Sequence, residues 1–167
     1  AYTASVAPNR ERFARIIGLK DARVTPRMEL VATPAQPSLL ARGEGYEVHA
    51  VRWAVLEGLD AEGLLLRPEG APKAFVVALG DCDWTPEMLA GLTGVLPAEA
   101  QYARRLAESG CMVVIPTLLD RRCTYAGNPD VRMTNQPHRE FVYRAAYQMG
   151  RHVIGYEVHG ILAAVDW

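Results

Sequence analysis

The pattern of apolar and polar positions changes character along the chain. Residues 9–20 place Phe13, Ile16 and Ile17 at helical spacing before Gly18, which predicts a short surface helix closed by glycine. The prolines between residues 21 and 45 exclude a long regular element there. We therefore expect this stretch to be an extended segment that wraps over the surface.

From residue 46 the period becomes that of β-structure. Residues 46–67 alternate, with Tyr46 and Val48 on one face and Val51, Trp53 and Val55 on the other. This predicts an antiparallel pair of strands. The nearly unbroken apolar run at 74–79 predicts a further strand, buried on both faces by helices.

The next segment adds helices and one more strand. Thr85 and Pro86 predict a helical turn over 85–89, with Thr85 as N-cap and Pro86 at the first helical position. Residues 97–109 predict a helix that Gly110 ends, and residues 111–116 predict a buried strand. Strand, helix and strand in this order imply a right-handed parallel crossover, so the fold class is α/β.

The last segment, from about residue 137 to residue 167, is predicted to be helical. Glycines at 150, 155 and 160 weaken one continuous rod, so we expect a bend near 150–155, or a short helix followed by a longer one. The predicted inward stripe has a spacing of three to four residues and consists of Tyr143, Tyr147, Gly150, Ile154, Val158, Ile161 and Val165.

Charge and composition limit the classes of partner. The 18 basic and 19 acidic residues give a net charge of -1 and are mixed along the sequence, so neither a nucleic acid nor a membrane is expected as partner. A small molecule or a glycan is the default ligand, and we expect no cofactor. The three cysteines lack metal-like spacing and the four histidines are scattered, so no metal site is expected.

Three strings in the last part of the chain carry a resemblance: TNQPHRE, GRHVIGYEV and AAVDW. Together with GDCDWTPEML and QYARRLAESGCMVVIPTLLDR, which match more loosely, they resemble bacterial α/β-hydrolases related to acetyl xylan esterases and dienelactone hydrolases. The resemblance implies that the chain is the N-terminal part of an α/β-hydrolase sheet. We divide it into an N-terminal helix and wrap, 1–45, and a partial hydrolase domain, 46–167.

In that family the next element is a strand that ends in the nucleophile elbow, Gly-x-Ser-x-Gly. The serines of this chain are Ser5, Ser38 and Ser109, and none of them lies in that frame. The resemblance therefore implies that the chain stops before the nucleophile, and we expect this segment alone to be inactive.

The loop of residues 80–84 is the main candidate for chemistry. In the family, a backbone N–H of this loop supplies half of the oxyanion hole, which makes Asp81, Cys82 and Asp83 candidates, with Cys82 preferred. The alternative is an ordinary turn in which Asp81 and Asp83 cap the next helix.

The densest polar cluster consists of Arg132, Asn135, His138 and Arg139. Arginine forks and an amide suit a substrate carboxylate or a sugar hydroxyl. The structural alternative, which we prefer, is that Thr134 or Asn135 caps the helix that begins at Pro137, with Arg139 and Glu140 pairing nearby.

The remaining cysteines and histidines allow narrower predictions. The resemblance places Cys82 and Cys123 beyond the ends of adjacent strands, so a disulfide between them is conceivable if the protein is exported. His152 and His159 lie about 10 Å apart if they are on one helix, too far to share a metal, so we expect packing or hydrogen-bonding roles.

Two functions compete at this point. The first is the N-terminal segment of a serine-type carboxylic-ester hydrolase that acts by acyl transfer on an acetylated glycan or a similar ester. The second is a non-catalytic structural or assembly subunit derived from a hydrolase. Either predicts a partner for the cut edge of the sheet, namely the missing C-terminal half or another copy of the chain. A periplasmic or secreted location is slightly favoured.

Overall fold

A computed structural model describes residues 2–119 and 138–167 of the chain. It divides into two compact units. The helical unit comprises the described residues of the ranges 1–22 and 119–159, and the sheet unit comprises residues 23–118 and 160–167. The predicted boundary at residue 45 stays a prediction. Among the described helices, none combines the length and apolar character needed to cross a bilayer.

The sheet unit is built on one long hairpin, as the alternation predicted. Strands β1 (Met28–Leu30) and β2 (Leu39–Gly43) both pair with β3 (Tyr46–Leu56), which pairs antiparallel with β4 (Leu59–Pro68). The predicted extended wrap therefore contains two short strands. They form because the exposed edge of β3 offers backbone partners that a propensity argument does not consider.

The second half of the sheet contains the expected parallel pair and joins it to the hairpin through an antiparallel pairing. Strand β5 (Phe75–Val77) pairs in parallel with β6 (Met112–Pro116), but β6 pairs antiparallel with β4. The order is β1-β3-β4-β6-β5, and the sheet is mixed but mostly antiparallel. β5 ends the strand order of the described residues. The prediction of a strand buried on both faces is confirmed in part, because Val76 and Val77 are partly buried against hydrophobic clusters on opposite faces. Phe75 keeps 76% of its surface exposed because among the described strands only β6 adjoins it.

Both faces of the central hairpin are covered. Tyr46 and Val48 of β3 pack in a cluster with Ile115, whereas Val51, Trp53 and Val55 pack in a second cluster. The alternation predicted these two faces correctly. Trp53 is fully buried and its indole N–H donates to the carbonyl of Gly160 at 3.0 Å, so a buried polar group is satisfied there.

Two short helices lie between β5 and β6. Helix α2 (Pro86–Leu89) has Thr85 as its N-cap, whose side chain accepts from the Met88 N–H at 3.4 Å, as predicted. Helix α3 (Tyr102–Glu108) is shorter than predicted because residues 98–100 form a separate 3-10 turn. Ala103 and Ala107 form its buried side, where small side chains allow close packing.

The remaining helices show where periodicity failed. They are α1 (Tyr2–Ile16), which begins earlier than predicted, α4 (His138–Gln148) and α5 (Val153–Asp166). The predicted interruption near Gly150 is confirmed, since Gly150 has a φ of 68° between the last two helices. The predicted stripe is wrong at three of its large side chains, because Tyr147, Ile154 and Val165 are exposed.

The buried side of α5 consists of smaller residues shifted by one position. Val153, Ala163 and Ala164 are buried, and so is His159. A methyl group at Gly155 would overlap the backbone at Ile17 and Gly18, within the helical unit. Close backbone approach, which only small residues permit, therefore decides which face of α5 is buried.

Candidate functional site

The loop that follows β5 is the candidate site, and the end of the sheet fixes where this loop begins. The parallel ladder continues one residue past β5, because the Ala78 N–H donates to the Val114 carbonyl at 2.8 Å. Ala78 is buried, whereas Leu79 is 45% exposed. The chain therefore leaves the sheet at Leu79 and turns into residues 80–84.

Tyr102 of α3 holds the start of this loop. Its hydroxyl donates to the carbonyl of Leu79, and burial raises the pKa of Tyr102, so the hydroxyl stays protonated as a donor. The sequence indicated no role of Tyr102 toward the loop. A tyrosine at a helix start is common, so no sequence signal distinguished this one.

The loop is closed by Asp81. Its backbone carbonyl accepts the Trp84 N–H at 3.0 Å, and its carboxylate Oδ1 accepts the Cys82 N–H at 2.6 Å. The Cys82 amide, the preferred oxyanion donor, thus has a carboxylate oxygen bound to it. An amide that binds a carboxylate oxygen can bind an oxyanion, provided that the carboxylate moves aside.

Helix capping in this loop falls to Thr85, so neither aspartate is needed for it. Asp81 and Asp83 are both exposed, and Cys82 is half-buried. The structure therefore leaves the oxyanion assignment of Asp81, Cys82 and Asp83 a prediction. Gly80 is tightly enclosed, since a methyl group there would lie 3.0 Å from Leu89 Cδ1 and 3.2 Å from Trp84 Cβ.

The second predicted cluster is only partly within the described residues. Arg132 and Asn135 lie outside them, and of His138 the structure describes only its position at the start of α4. Arg139 forms a bidentate pair with Glu157, at 2.5 Å and 2.9 Å. The expected pairing of Arg139 beside Glu140 is wrong, because Glu140 faces Arg144 one helical turn away, at 3.1 Å.

The pair of Arg139 and Glu157 belongs to the helical unit. Glu157 also accepts the Leu119 N–H at 3.1 Å, and both charged side chains are largely buried, at 19% and 13% exposure. A partly buried fork pair of this kind fixes two helices in register. This geometry supports the structural reading of Arg139, and its role toward a substrate stays a prediction.

The histidines pack, as expected. His152 accepts the Ile154 N–H at its Nδ1, at 3.0 Å, and its ring lies edge-on to Tyr143 at 5.1 Å. His159 is 2% exposed. Over the part of the chain that the structure describes, no group of three or more His, Cys, Asp or Glu side chains could hold a metal ion. Cys123 lies outside the described residues, so the disulfide with Cys82 stays a prediction.

Two of the three serine hydroxyls donate to backbone carbonyls. Ser5 Oγ donates to the Tyr2 carbonyl and Ser109 Oγ donates to the Arg105 carbonyl, both at 2.8 Å. Each serine thus bonds to its own helix, as serines in helices commonly do. Neither is near a base in a nucleophilic arrangement among the described residues.

Comparison with known proteins finds likenesses among solved structures. No protein-family model and no curated protein matches the sequence. A crystal structure of a candidate acetyl xylan esterase from Bacteroides fragilis superimposes with a TM-score of 0.63 and 16% identity. The match covers 95% of this chain and 40% of that one. This chain therefore has an esterase-like α/β fold and spans well under half the length of that neighbour.

Proposed function

We propose that this chain is the N-terminal segment of a serine-type carboxylic-ester hydrolase. The reaction is acyl transfer on an acetylated glycan or a similar ester, and the nucleophile lies outside these 167 residues. The observation that carries the proposal is the match of 95% of this chain to 40% of a candidate acetyl xylan esterase. The loop after β5 supports it, because the Cys82 amide already binds a carboxylate oxygen.

In this proposal the loop contributes electrostatic stabilisation and no covalent step. The Cys82 N–H would donate to the oxygen that becomes negative as the ester carbonyl is attacked, after Asp81 has moved aside. One such donor typically contributes about 2.7–4 kcal/mol to the transition state. Tyr102 would hold the loop through the Leu79 carbonyl.

The edge of β5 supports the proposed partner, which is the C-terminal half of the same protein. β5 ends the strand order of the described residues, and Phe75 and Leu79 are exposed beside it. An unpaired apolar edge favours the addition of another strand. Light scattering on the 167-residue chain and its Phe75→Lys variant tests this. We expect the parent chain to associate and the variant to do so less, whereas a stable monomeric parent would contradict the proposal.

The catalytic proposal is tested on the source protein. We expect the intact mass of the source protein to be at least about twice 18.4 kDa. We also expect the source protein to release acetate from acetylated xylan. The segment alone should release none. An intact mass of 18.4 kDa without hydrolysis would reject the proposal in favour of the non-catalytic subunit. The serine hydroxyls that bond within their own helices favour that second candidate for the isolated segment.

A further inference from the structure

A cavity outside the candidate site lies on one face of the sheet unit. Its volume is about 240 Å³, which is smaller than the pockets that bind drug-sized ligands and suits one small ring. Its lining includes residues from the segment before β1, from β1, from β3 and from β4: Thr25, Arg27, Glu29, Arg52, Ala54 and Asp60.

The register of the sheet arranges the charges of this cavity in two rows. Arg27 lies opposite Ala54, whose N–H donates to the Arg27 carbonyl at 3.4 Å, and Ala54 pairs with Asp60 on β4. The first row is thus cation, methyl, anion. Glu29 pairs with Arg52, and Arg52 pairs with Glu62, so the second row is anion, cation, anion.

The charges of this cavity differ in whether they are compensated. Arg52 of the second row lies 3.2 Å from Glu29 and 3.5 Å from Asp60 of the first row, so its charge is shared between two carboxylates and Asp60 already has a cation beside it. In the first row, Ala54 leaves a gap of two strand spacings, roughly 10 Å, between the backbones of Arg27 and Asp60. Arg27 has no ion pair with any residue that the structure describes.

We infer that this cavity binds an acidic saccharide, that is, one sugar ring that carries a carboxylate. The Arg27 guanidinium matches the carboxylate as a fork, and Asp60 accepts from ring hydroxyls on the other side of Ala54. The Thr25 hydroxyl lies at the same cavity and can donate or accept. The cavity by itself indicates a ligand that carries both an anionic group and hydrogen-bond donors. The choice of a sugar as that ligand rests on the proposed function.

Calorimetric titration of the complete 167-residue chain with D-glucuronate tests the inference. D-glucose serves as the ring without the carboxylate, and acetate serves as a carboxylate without the ring. We expect glucuronate to bind at least tenfold more tightly than either, because a fork pair to an unpaired guanidinium adds a charge-assisted contact.

Three variants locate the site. Arg27→Gln should weaken glucuronate binding at least tenfold, whereas Arg42→Gln, on β2 and outside this cavity, should leave it unchanged. Ala54→Leu should abolish binding while every charge remains, because it fills the gap between the two charges of the first row. Circular dichroism confirms that each variant is folded, and Arg27→Gln, at an exposed side chain, carries the test if Ala54→Leu unfolds.

Several outcomes would overturn the inference. They are no saturable glucuronate binding, equal binding of glucose or acetate, or an unchanged affinity in Arg27→Gln. Ester hydrolysis is not measured in this experiment. A source protein without esterase activity whose segment still binds glucuronate would therefore reject the proposed function alone.

Discussion

Strands β3 and β5 both consist largely of apolar residues, yet they have opposite environments. β3 has strands on both sides and packed clusters on both faces, and its Trp53 is fully buried. Among the described strands β5 adjoins only β6, and Phe75 is 76% exposed. Hydrophobicity is therefore similar in the two strands, and position in the sheet decides what it contributes to stability.

The largest expected difference is between Trp53→Ala and Phe75→Ala. Trp53→Ala should reduce the free energy of unfolding by about 3–5 kcal/mol, because it leaves a cavity and removes the donor to the Gly160 carbonyl. Phe75→Ala should change it by less than about 0.5 kcal/mol, as at most exposed sites. Urea unfolding measures both. A comparable loss in the two variants would contradict the comparison.

Glycines extend the comparison from side chains to the backbone. A methyl group at Gly63, in the centre of β4, would overlap the carbonyl oxygen of Ile115, and we expect Gly63→Ala to cost about 1–3 kcal/mol or more. Gly70, after β4, has open space around it, so Gly70→Ala should be neutral or stabilise by up to about 1 kcal/mol. Thermal unfolding of the two variants checks this, and a neutral Gly63→Ala would refute it.

Two threonines in the segment that follows β5 extend the comparison to hydrogen bonds, which we expect to contribute more to stability there than packing does. Thr85 caps α2, and Thr85→Ala should cost about 1 kcal/mol. The buried hydroxyl of Thr93 has no hydrogen-bond partner among the residues that the structure describes, so Thr93→Val should be neutral or stabilising. Urea midpoints measure both effects. A larger loss for Thr93→Val than for Thr85→Ala would show that these bonds are assigned wrongly.

The smallest effect concerns the charged start of β3. Hydrogen bonds from Arg67 and then His49 hold the pKa of Glu47 below its ordinary value of 4.5. The folded state therefore binds fewer protons at this group, so its stabilising contribution is complete above pH 4.5 and is lost as the pH falls through the lower folded value.

We expect Glu47→Gln to flatten the loss of stability on acidification below pH 4.5, measured as urea midpoints between about pH 6 and pH 3. Glu57→Gln, at an exposed turn residue, should keep the parental pH dependence. If Glu47→Gln left the loss of stability on acidification unchanged, Glu47 would not contribute to that loss.

Local patterns predicted the parts of the fold in which nearby residues decide the outcome. The hairpin of β3 and β4, the Thr85 cap and the interruption at Gly150 are all where the sequence indicated. The sequence did not reveal the partner of Arg139, because Glu157 is 18 residues away along the chain. Either Glu140 or Glu157 could form an ion pair with its guanidinium group. The closure of the candidate loop by the Asp81 carboxylate was likewise invisible to pattern, since an aspartate in a turn has several possible acceptor roles.

The sequence by itself determined the α/β class, the two faces of the central hairpin and the likeness to an esterase, because periodicity and motif strings are local properties. Only the tertiary structure decided that β5 is an edge strand, that α5 buries small residues in place of Ile154 and Val165, and that Arg27 and Asp60 lie on either side of Ala54. These outcomes depend on strand order, register and backbone approach, which are set by residues far apart in the chain.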